Sequence, residues 1–271
     1  MTRRQGRILG AQVALFAAAV GVAVQSSDAG DWRPLELVIL LFVLAAGSEV
    51  MTIEFRGFRI SASFLAIVLA MALLGPAPAA AIGVASMLVD GLVNRAARWQ
   101  VLTNVWTYTL FPVAGGVMMM ALAGDPRSYG SDAIGFAAAV LIVFMVMNAL
   151  NFVLVVLTRR APSISIRDVV VHAFLPVLPA EFATGLLTAG VALVYSRIGV
   201  AAVGLLAVVI FIFQYLFRAG VQAFERGEEL GKRTHELAAL QVGLLSTVVQ
   251  TLSMRDAMTA RHSAAVARYA R

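Results

Sequence analysis

The stretch "HAFLPVLPAEFATG" places one carboxylate, Glu181, in an apolar part of the chain directly after Pro176 and Pro179. Each proline removes a backbone hydrogen bond from a helix and clashes with the preceding turn. A charged side chain in hydrocarbon costs about 2.5–3.5 kcal/mol on insertion scales, so such groups are usually paired or functional. A broken helix that carries a carboxylate at membrane depth is typical of a ligand cavity. Glu181 is therefore a candidate ligand-binding or sensing residue.

Four further polar residues in apolar runs could face the same cavity. Asn148 and Asn151 lie in "FMVMNALNF", and Asp90 and Asn104 lie in two earlier runs. The alternative for each of them is a hydrogen bond between helices that holds no ligand. We include all four in the candidate site, although their types do not select one ligand chemistry.

Three acidic residues lie near the ends of apolar runs, namely Glu36, Glu49 and Asp90. Side chains of this kind can keep an apolar stem in lipid while the polar tip reaches water. For these three residues we expect the carboxylate to extend to the membrane interface.

The composition is that of a membrane protein. Hydrophobic residues make up 61% of the 271 residues and charged residues only 13%, whereas soluble domains carry about 25% charged residues. There are no cysteines, which excludes disulfides and cysteine metal sites. The net charge of +6 comes almost entirely from arginine. In such a protein we interpret this excess as an orientation signal, and we expect the bilayer, not DNA or RNA, as the partner.

The apolar runs predict an all-α, polytopic bundle of seven or eight spanning helices over residues 1–217. A spanning helix needs about 20 apolar residues, and the first run is longer than the core of a secretory signal. The third and fourth runs are joined only by "GPAP" and are rich in small residues, which predicts a tight hairpin. The runs are 8–24, 35–51, 58–75, 78–94, 101–123, 133–157, 171–195 and 198–217.

Arginines in the connections predict the orientation. If both termini are cytoplasmic, the outer connections contain only Arg33, Arg127 and Arg197, in agreement with the positive-inside rule. Six crossings satisfy the same rule if one pair of runs is re-entrant. The inner connections contain Arg3, Arg4, Arg7, Arg56, Arg59, Arg95, Arg98, Arg159, Arg160 and Arg167.

Residues 218–254 predict an amphipathic helix that links the bundle to the C-terminal segment. Its apolar residues recur at spacings of three and four, which indicates one stripe on a helix. The stripe suits a parallel dimer stem or packing onto a following domain, and too few heptads repeat to establish a coiled coil. His235, among charges, is predicted to be a solvated surface residue. The stripe consists of Leu230, Leu237, Leu240, Leu244, Val248 and Leu252.

Residues 255–271 predict the start of a further helical domain. We expect the linker helix to break near residues 255–258, with Thr259 capping a new helix through its hydroxyl. His262 then falls in the first turns and shares a face with Val266 and Tyr269, which we expect to be buried. By its residue type alone, one histidine fits a surface or core role, since a metal site needs several converging ligands.

The segment "LLSTVVQTLSMRDAMTARHSAAVARYAR" resembles the start of the HD-superfamily metal-dependent phosphohydrolases, closest to the HD-GYP and HDIG branch of bacterial signalling proteins. The resemblance covers only this small part of the chain. In that family an amphipathic helix precedes a pattern like R-D-x-x-T-x-x-H-S-x-x-V-A-x-x-A. The matching residues are Arg255, Asp256, Thr259, His262, Ser263, Val266, Ala267 and Ala270.

This resemblance implies that His262 is the first histidine ligand of a two-metal site for Fe, Mn or Mg, and that cyclic di-GMP, a cyclic dinucleotide, is the substrate. It also implies a multi-pass protein of the bacterial inner (cytoplasmic) membrane. The family's His-Asp and Gly-Tyr-Pro motifs are absent from this sequence, and Met258 stands where three-metal members carry glutamate. We therefore expect the chain to be part of a longer enzyme and to be inactive alone.

The stretch "RISASFLAIVLAMALLGPAPAAAIGVASMLVDGLVN" resembles, less specifically, the vitamin-binding S-components of energy-coupling transporters. The sequence supports three hypotheses. The first is a membrane anchor or sensor joined to a phosphohydrolase. The alternatives are a solute-binding, transporter-like protein and a non-catalytic membrane scaffold.

Overall fold

The computed structural model describes residues 3–55, 58–95, 98–124, 133–159 and 170–269, and these are almost entirely helical. The two short strands pair as an antiparallel hairpin, with Ile53 opposite Ile60 and Phe55 opposite Phe58. The elements, in chain order, are α1 (Arg3–Gln25), α2 (Leu35–Val50), β1 (Ile53–Phe55), β2 (Phe58–Ile60), α3 (Ser63–Leu73), α4 (Pro76–Val93), α5 (Arg98–Ala123), α6 (Ala133–Arg159), a π-helical turn (Val170–Phe174), α7 (Leu175–Ile198) and α8 (Val200–Tyr269).

The helices follow the predicted apolar runs to within a few residues at most boundaries, but the predicted count of seven or eight spans is not confirmed. Within the described residues, five helices are long and apolar enough to cross a membrane: α4, α5, α6, α7 and α8. The helix α2 has 16 residues and α3 has 11. Several long apolar helices of this kind are compatible with a membrane protein.

The prediction of a span over 58–75 is wrong, because a hairpin precedes the helix. Residues 58–60 form β2, and α3 begins only at Ser63. At 1.5 Å per residue α3 is about 16 Å long, roughly half of the ~30 Å hydrocarbon thickness. Isoleucine and phenylalanine favour strands, and a count of apolar residues cannot distinguish such a strand from the start of a span.

The short helix α3 forms the centre of the core. Its residues from Leu65 to Ala72 are all buried. The Phe64 ring stacks on Phe111 of α5 at a centroid distance of 5.4 Å and meets Phe144 of α6 edge-on at 5.1 Å. Because α3 contacts α2, α4, α5, α6 and α7, an apolar side chain is buried whichever way it points.

The helices α4 and α5 pack at close range through small residues. A Cβ on Gly116 would lie 2.5 Å from the Cα of Pro76, and one on Gly83 would lie 2.9 Å from the Tyr108 carbonyl oxygen. The predicted tight hairpin is confirmed, since α3 ends at Leu73 and α4 begins at Pro76. Gly75, with φ of 92°, makes the turn, and glycine adopts this conformation without strain.

The helix α8 is continuous from Val200 to Tyr269, so the predicted break near residues 255–258 is wrong. The Thr259 hydroxyl donates to the Arg255 carbonyl oxygen at 2.8 Å, a bond within the helix and not a cap. No glycine or proline follows Gly243, so no residue of the strongest helix-breaking types interrupts the pattern. The chain divides into two units, Met1–Tyr215 and Leu216–Arg271.

Candidate functional site

Asn148 and Glu181, predicted to share a site, are joined by a hydrogen bond. The Asn148 Nδ2 donates to the Glu181 Oε2 at 2.6 Å and connects α6 to α7. On one side of this bond α6 contacts α7 again, and on the other it contacts the π-helical turn that precedes α7. The Phe152 and Phe174 rings lie 4.4 Å apart, and a Cβ on Gly185 would lie 3.0 Å from Phe144. These contacts hold two antiparallel helices together around a polar pair.

The backbone before Glu181 is irregular, as its prolines predict. A π-helical turn over Val170–Phe174 leads into α7, with Pro176 in the first turn and Pro179 inside the helix. Prolines remove N–H donors, and π-helical turns recur at functional sites. Glu181 is half-buried, and its hydrogen bond pairs the carboxylate with the neighbouring helix α6.

The remaining predicted site residues are not joined to this pair. Asn104 and Asn151 are half-buried on α5 and α6, and neither hydrogen-bonds to Glu181 within the described residues. Asp90 accepts a hydrogen bond from Asn94 Nδ2 at 2.6 Å, one turn along α4. The structure therefore gives two polar pairs, Asn148–Glu181 and Asp90–Asn94, where the sequence predicted one cavity.

The expectation that Glu49 and Asp90 reach the membrane interface is wrong. Glu49 is 5% exposed and Asp90 is 3% exposed, whereas Glu36 is exposed as expected. The reason is tertiary packing. Glu49 lies in the last turn of α2 and Asp90 in the last turn of α4, and neighbouring helices cover both turns.

Glu49 forms a polar junction that the sequence did not predict. Its Oε1 accepts a hydrogen bond from the Ser63 hydroxyl at the start of α3, and the Thr52 hydroxyl lies 3.5 Å from its Oε2. Ser63 itself is buried. The signal that could have found it is the polar "SEVMT" and "SAS" on both sides of the hairpin. The junction ties α2 to α3 across the hairpin.

His262 lies on the exposed surface of α8. Val266 and Tyr269 are 54% and 92% exposed, so the expectation that this face is buried is wrong for this chain. No described residue packs against it. Among the described residues no three His, Asp or Glu side chains lie close enough to hold a metal ion.

The linker part of α8 exposes its predicted apolar stripe. Leu237, Leu240, Leu244 and Val248 are all more than half exposed, and the Leu252 side chain lies outside the described residues. Glu229 and Arg233 form an exposed ion pair at 2.5 Å, of a kind that contributes little to stability. His235 is exposed, as predicted.

Comparison of this chain with family models, with curated proteins and with solved structures finds no significant match.

Proposed function

We propose that this chain is the membrane and linker part of a signalling protein whose complete form is an HD-type metal-dependent phosphohydrolase, with cyclic di-GMP as substrate. The observation that carries the proposal is the continuity of α8. This helix begins at Val200 as a candidate membrane span and reaches the HD-like residues around His262 without a break. A continuous helix offers a covalent route between the membrane part of the chain and these residues.

The proposal assigns a role to each part of the chain. The bundle anchors the protein and senses a signal, and the linker helix transmits it. The stripe from Leu237 to Val248 is exposed, and burying such a stripe against a second copy of the helix removes apolar surface from water. We therefore expect a homodimer through this stripe, in the bacterial inner membrane with both termini cytoplasmic.

The described residues do not fit a two-metal site by themselves, because they bring no second ligand to His262. In the complete protein His262 would supply one ligand, and the other ligands would come from outside this chain. Two divalent metals in such a site polarise a phosphate and activate water. The proposal therefore assigns to this chain one metal ligand, His262, and no step of the hydrolysis.

The test compares full-length protein in membranes with its His262→Ala and His235→Ala variants. His235 is a matched control, since it is a second exposed histidine on the same helix. We expect cyclic di-GMP hydrolysis and bound metal to fall in the His262 variant alone, and the 271-residue chain to be inactive. Equal metal content and equal hydrolysis in all full-length forms would contradict the proposal.

The dimer is tested by cross-linking, because the chain has no native cysteine. A single cysteine at Leu244, on the stripe, should give a disulfide-linked dimer in membranes. One at Ala239, on the opposite face, is the control and should not. If both positions cross-link equally, the stripe is not the interface.

A second candidate function, solute binding by the bundle, is favoured by the Asn148–Glu181 pair. An amide and a carboxylate between two apolar helices, beside an irregular turn, are typical of a binding site in a transporter. The corresponding test is a solute-induced rise in melting temperature that Glu181→Gln abolishes. Metal-dependent hydrolysis by the complete protein separates the two candidates.

A further inference from the structure

Three buried polar side-chain atoms in the bundle have no hydrogen-bond partner among the residues that the structure describes. One is Nε1 of Trp106 on α5, and the other two are oxygen atoms: the hydroxyl of Ser48, which is 0% exposed, and Oε1 of Gln214, which is 6% exposed. A buried polar group without a partner costs about 1–3 kcal/mol. Ser48 lies in the last turn of α2 and Gln214 in the first unit's part of α8.

Contacts between α2 and α8 place the two groups at nearly the same level. A Cβ on Gly47 would lie 2.8 Å from the Phe211 ring, and one on Gly204 would lie 3.9 Å from Leu40. The two contacts are seven residues apart on each helix, so the helices run parallel in constant register. In that register Gln214 is level with the second residue after Ser48. The two side chains are therefore offset by about 3 Å along the helix axis.

The two side chains also point to the same side of the contact. Successive helical residues turn by about 100°, so Ser48 projects from the same flank of α2 as the buried Leu41 and Leu44. Gln214 projects from the flank of α8 that carries the buried Val203 and Ile210. For two parallel helices in this register, these flanks border one groove on the core side of the Gly47–Phe211 contact.

We propose that this groove binds one small hydrogen-bond donor that bridges Ser48 and Gln214. The amide oxygen only accepts hydrogen bonds, whereas a hydroxyl donates and accepts, so the guest must bring an N–H or O–H group. We take the guest to be small because α2 and α8 approach closely at Gly47, where a Cβ would lie 2.8 Å from the Phe211 ring. The carboxyl group of Glu49, the residue after Ser48, disfavours an anion. Water and ammonium share this chemistry.

The site lies at the end of the part of α8 that belongs to the first unit, since that unit ends at Tyr215. A bridging guest binds this last turn to α2, and its loss frees the turn. The guest therefore controls how firmly α8 is held at this level of the bundle. Buried waters that bridge orphaned polar groups stabilise proteins in this way.

The experiment is a double-mutant cycle on the purified 271-residue chain in lipid nanodiscs, with the melting temperature as readout. Ser48→Ala and Gln214→Met each remove one side of the bridge. If they share a guest, the double variant shifts no more than the larger single shift, because the bridge is lost once. Additive shifts would overturn the proposal. Gln214→Leu, which also lacks the amide oxygen, replaces Gln214→Met if that variant does not fold.

Ser86→Ala is the matched control. Ser86 is as buried as Ser48, but its hydroxyl donates to the Gly83 carbonyl oxygen of its own helix at 2.8 Å. Combined with Gln214→Met, this change should shift the melting temperature by the sum of the two single shifts. Coupling of equal size with Ser86 would show a general loss of packing and would contradict a shared guest.

Two chloride salts, each of a monovalent cation, distinguish ammonium from water as the guest. Ammonium chloride offers N–H donors, whereas tetramethylammonium chloride has none. A rise in melting temperature with ammonium alone, lost in Gln214→Met, identifies ammonium. Equal effects of both salts, together with coupling in the cycle, identify water.

Discussion

At the scale of single residues, two carboxylates in the bundle have different surroundings. Glu181 is half-buried and bonded by one amide, that of Asn148, whereas Glu49 is buried and accepts from the Ser63 hydroxyl. A carboxylate with one amide partner on a half-buried face retains capacity for a ligand. One enclosed at a helix junction is better suited to holding helices together. This difference fits a ligand-binding role for Glu181, as proposed above, and a structural role for Glu49.

Replacing Asn148 by leucine removes the donor to Glu181 and leaves a carboxylate without its amide partner. Hydrogen bonds between membrane helices average about 0.6 kcal/mol, and the unpaired group adds to that cost. We expect Asn148→Leu to lower the free energy of unfolding by about 1–2 kcal/mol, measured by denaturation in detergent. Thr184→Ala is the control, because that hydroxyl donates to the Ala180 carbonyl oxygen within α7. Equal losses in the two variants would mean that the Asn148–Glu181 bond is not stabilising.

Replacing Glu49 by alanine removes the acceptor of the buried Ser63 hydroxyl. A buried group left without its partner costs about 1–3 kcal/mol, so we expect a loss of that size in unfolding free energy. Glu36→Ala on the same helix should change stability by less than about 0.5 kcal/mol, since exposed substitutions usually do. If both substitutions change the free energy of unfolding equally little, Glu49 reaches the interface as the sequence suggested.

At the scale of elements, the bundle depends on how closely its helices approach. Gly116 is so near Pro76 that even a methyl group would meet backbone at 2.5 Å, while the helical Gly190 has nothing within 4 Å. A small residue at a close crossing has a packing role, whereas one on an open face only weakens the helix.

These two glycines give a matched pair of substitutions. We expect Gly116→Ala to destabilise the bundle by about 1–3 kcal/mol, as overpacked cores do. Gly190→Ala should be neutral or stabilise by up to about 1 kcal/mol, because alanine loses less backbone freedom. Melting temperatures in detergent measure both effects. A stable Gly116→Ala variant would show that α4 and α5 are further apart than the contact indicates.

The continuity of α8 is tested at Thr259. A capping threonine loses about 0.5–2 kcal/mol of stability when changed to alanine, whereas a threonine inside a helix gains from the better helix propensity of alanine. Since the Thr259 hydroxyl bonds back to Arg255, we expect Thr259→Ala to preserve or raise helicity by circular dichroism. Thr247→Ala, with a similar bond to Gly243, should behave alike. A loss of helicity in the Thr259→Ala variant alone would contradict a continuous helix and support the predicted break.

At the scale of the whole molecule, the turn between α3 and α4 decides the number of crossings. Pro76 lies beside Gly116, which is seven residues, about 10 Å, before α5 ends at Ala123. The turn therefore stops short of the level where α5 ends. We infer that α3 enters the bundle without crossing it.

Cysteine labelling tests this topology, because any introduced cysteine is the only one in the chain. We expect a membrane-impermeant maleimide to label Gly124→Cys, which lies at an exposed helix end, and to leave Ala77→Cys unlabelled from either side. Denatured protein should label at both positions, as a control for reactivity. Labelling of Ala77→Cys as fast as Gly124→Cys would place the turn at the membrane surface and support eight crossings.

The sequence by itself determined where most helices lie, because a membrane segment must be apolar over a fixed length and its backbone must bond within itself. It also indicated the irregular turn before Glu181, since proline acts locally. Tertiary structure decided which polar groups meet. The Asn148–Glu181 bond and the burial of Glu49 depend on helix neighbours far apart in the chain. Hydropathy reports each segment alone, so it cannot show that neighbouring helices enclose the short α3 or that Ser48 and Gln214 are buried.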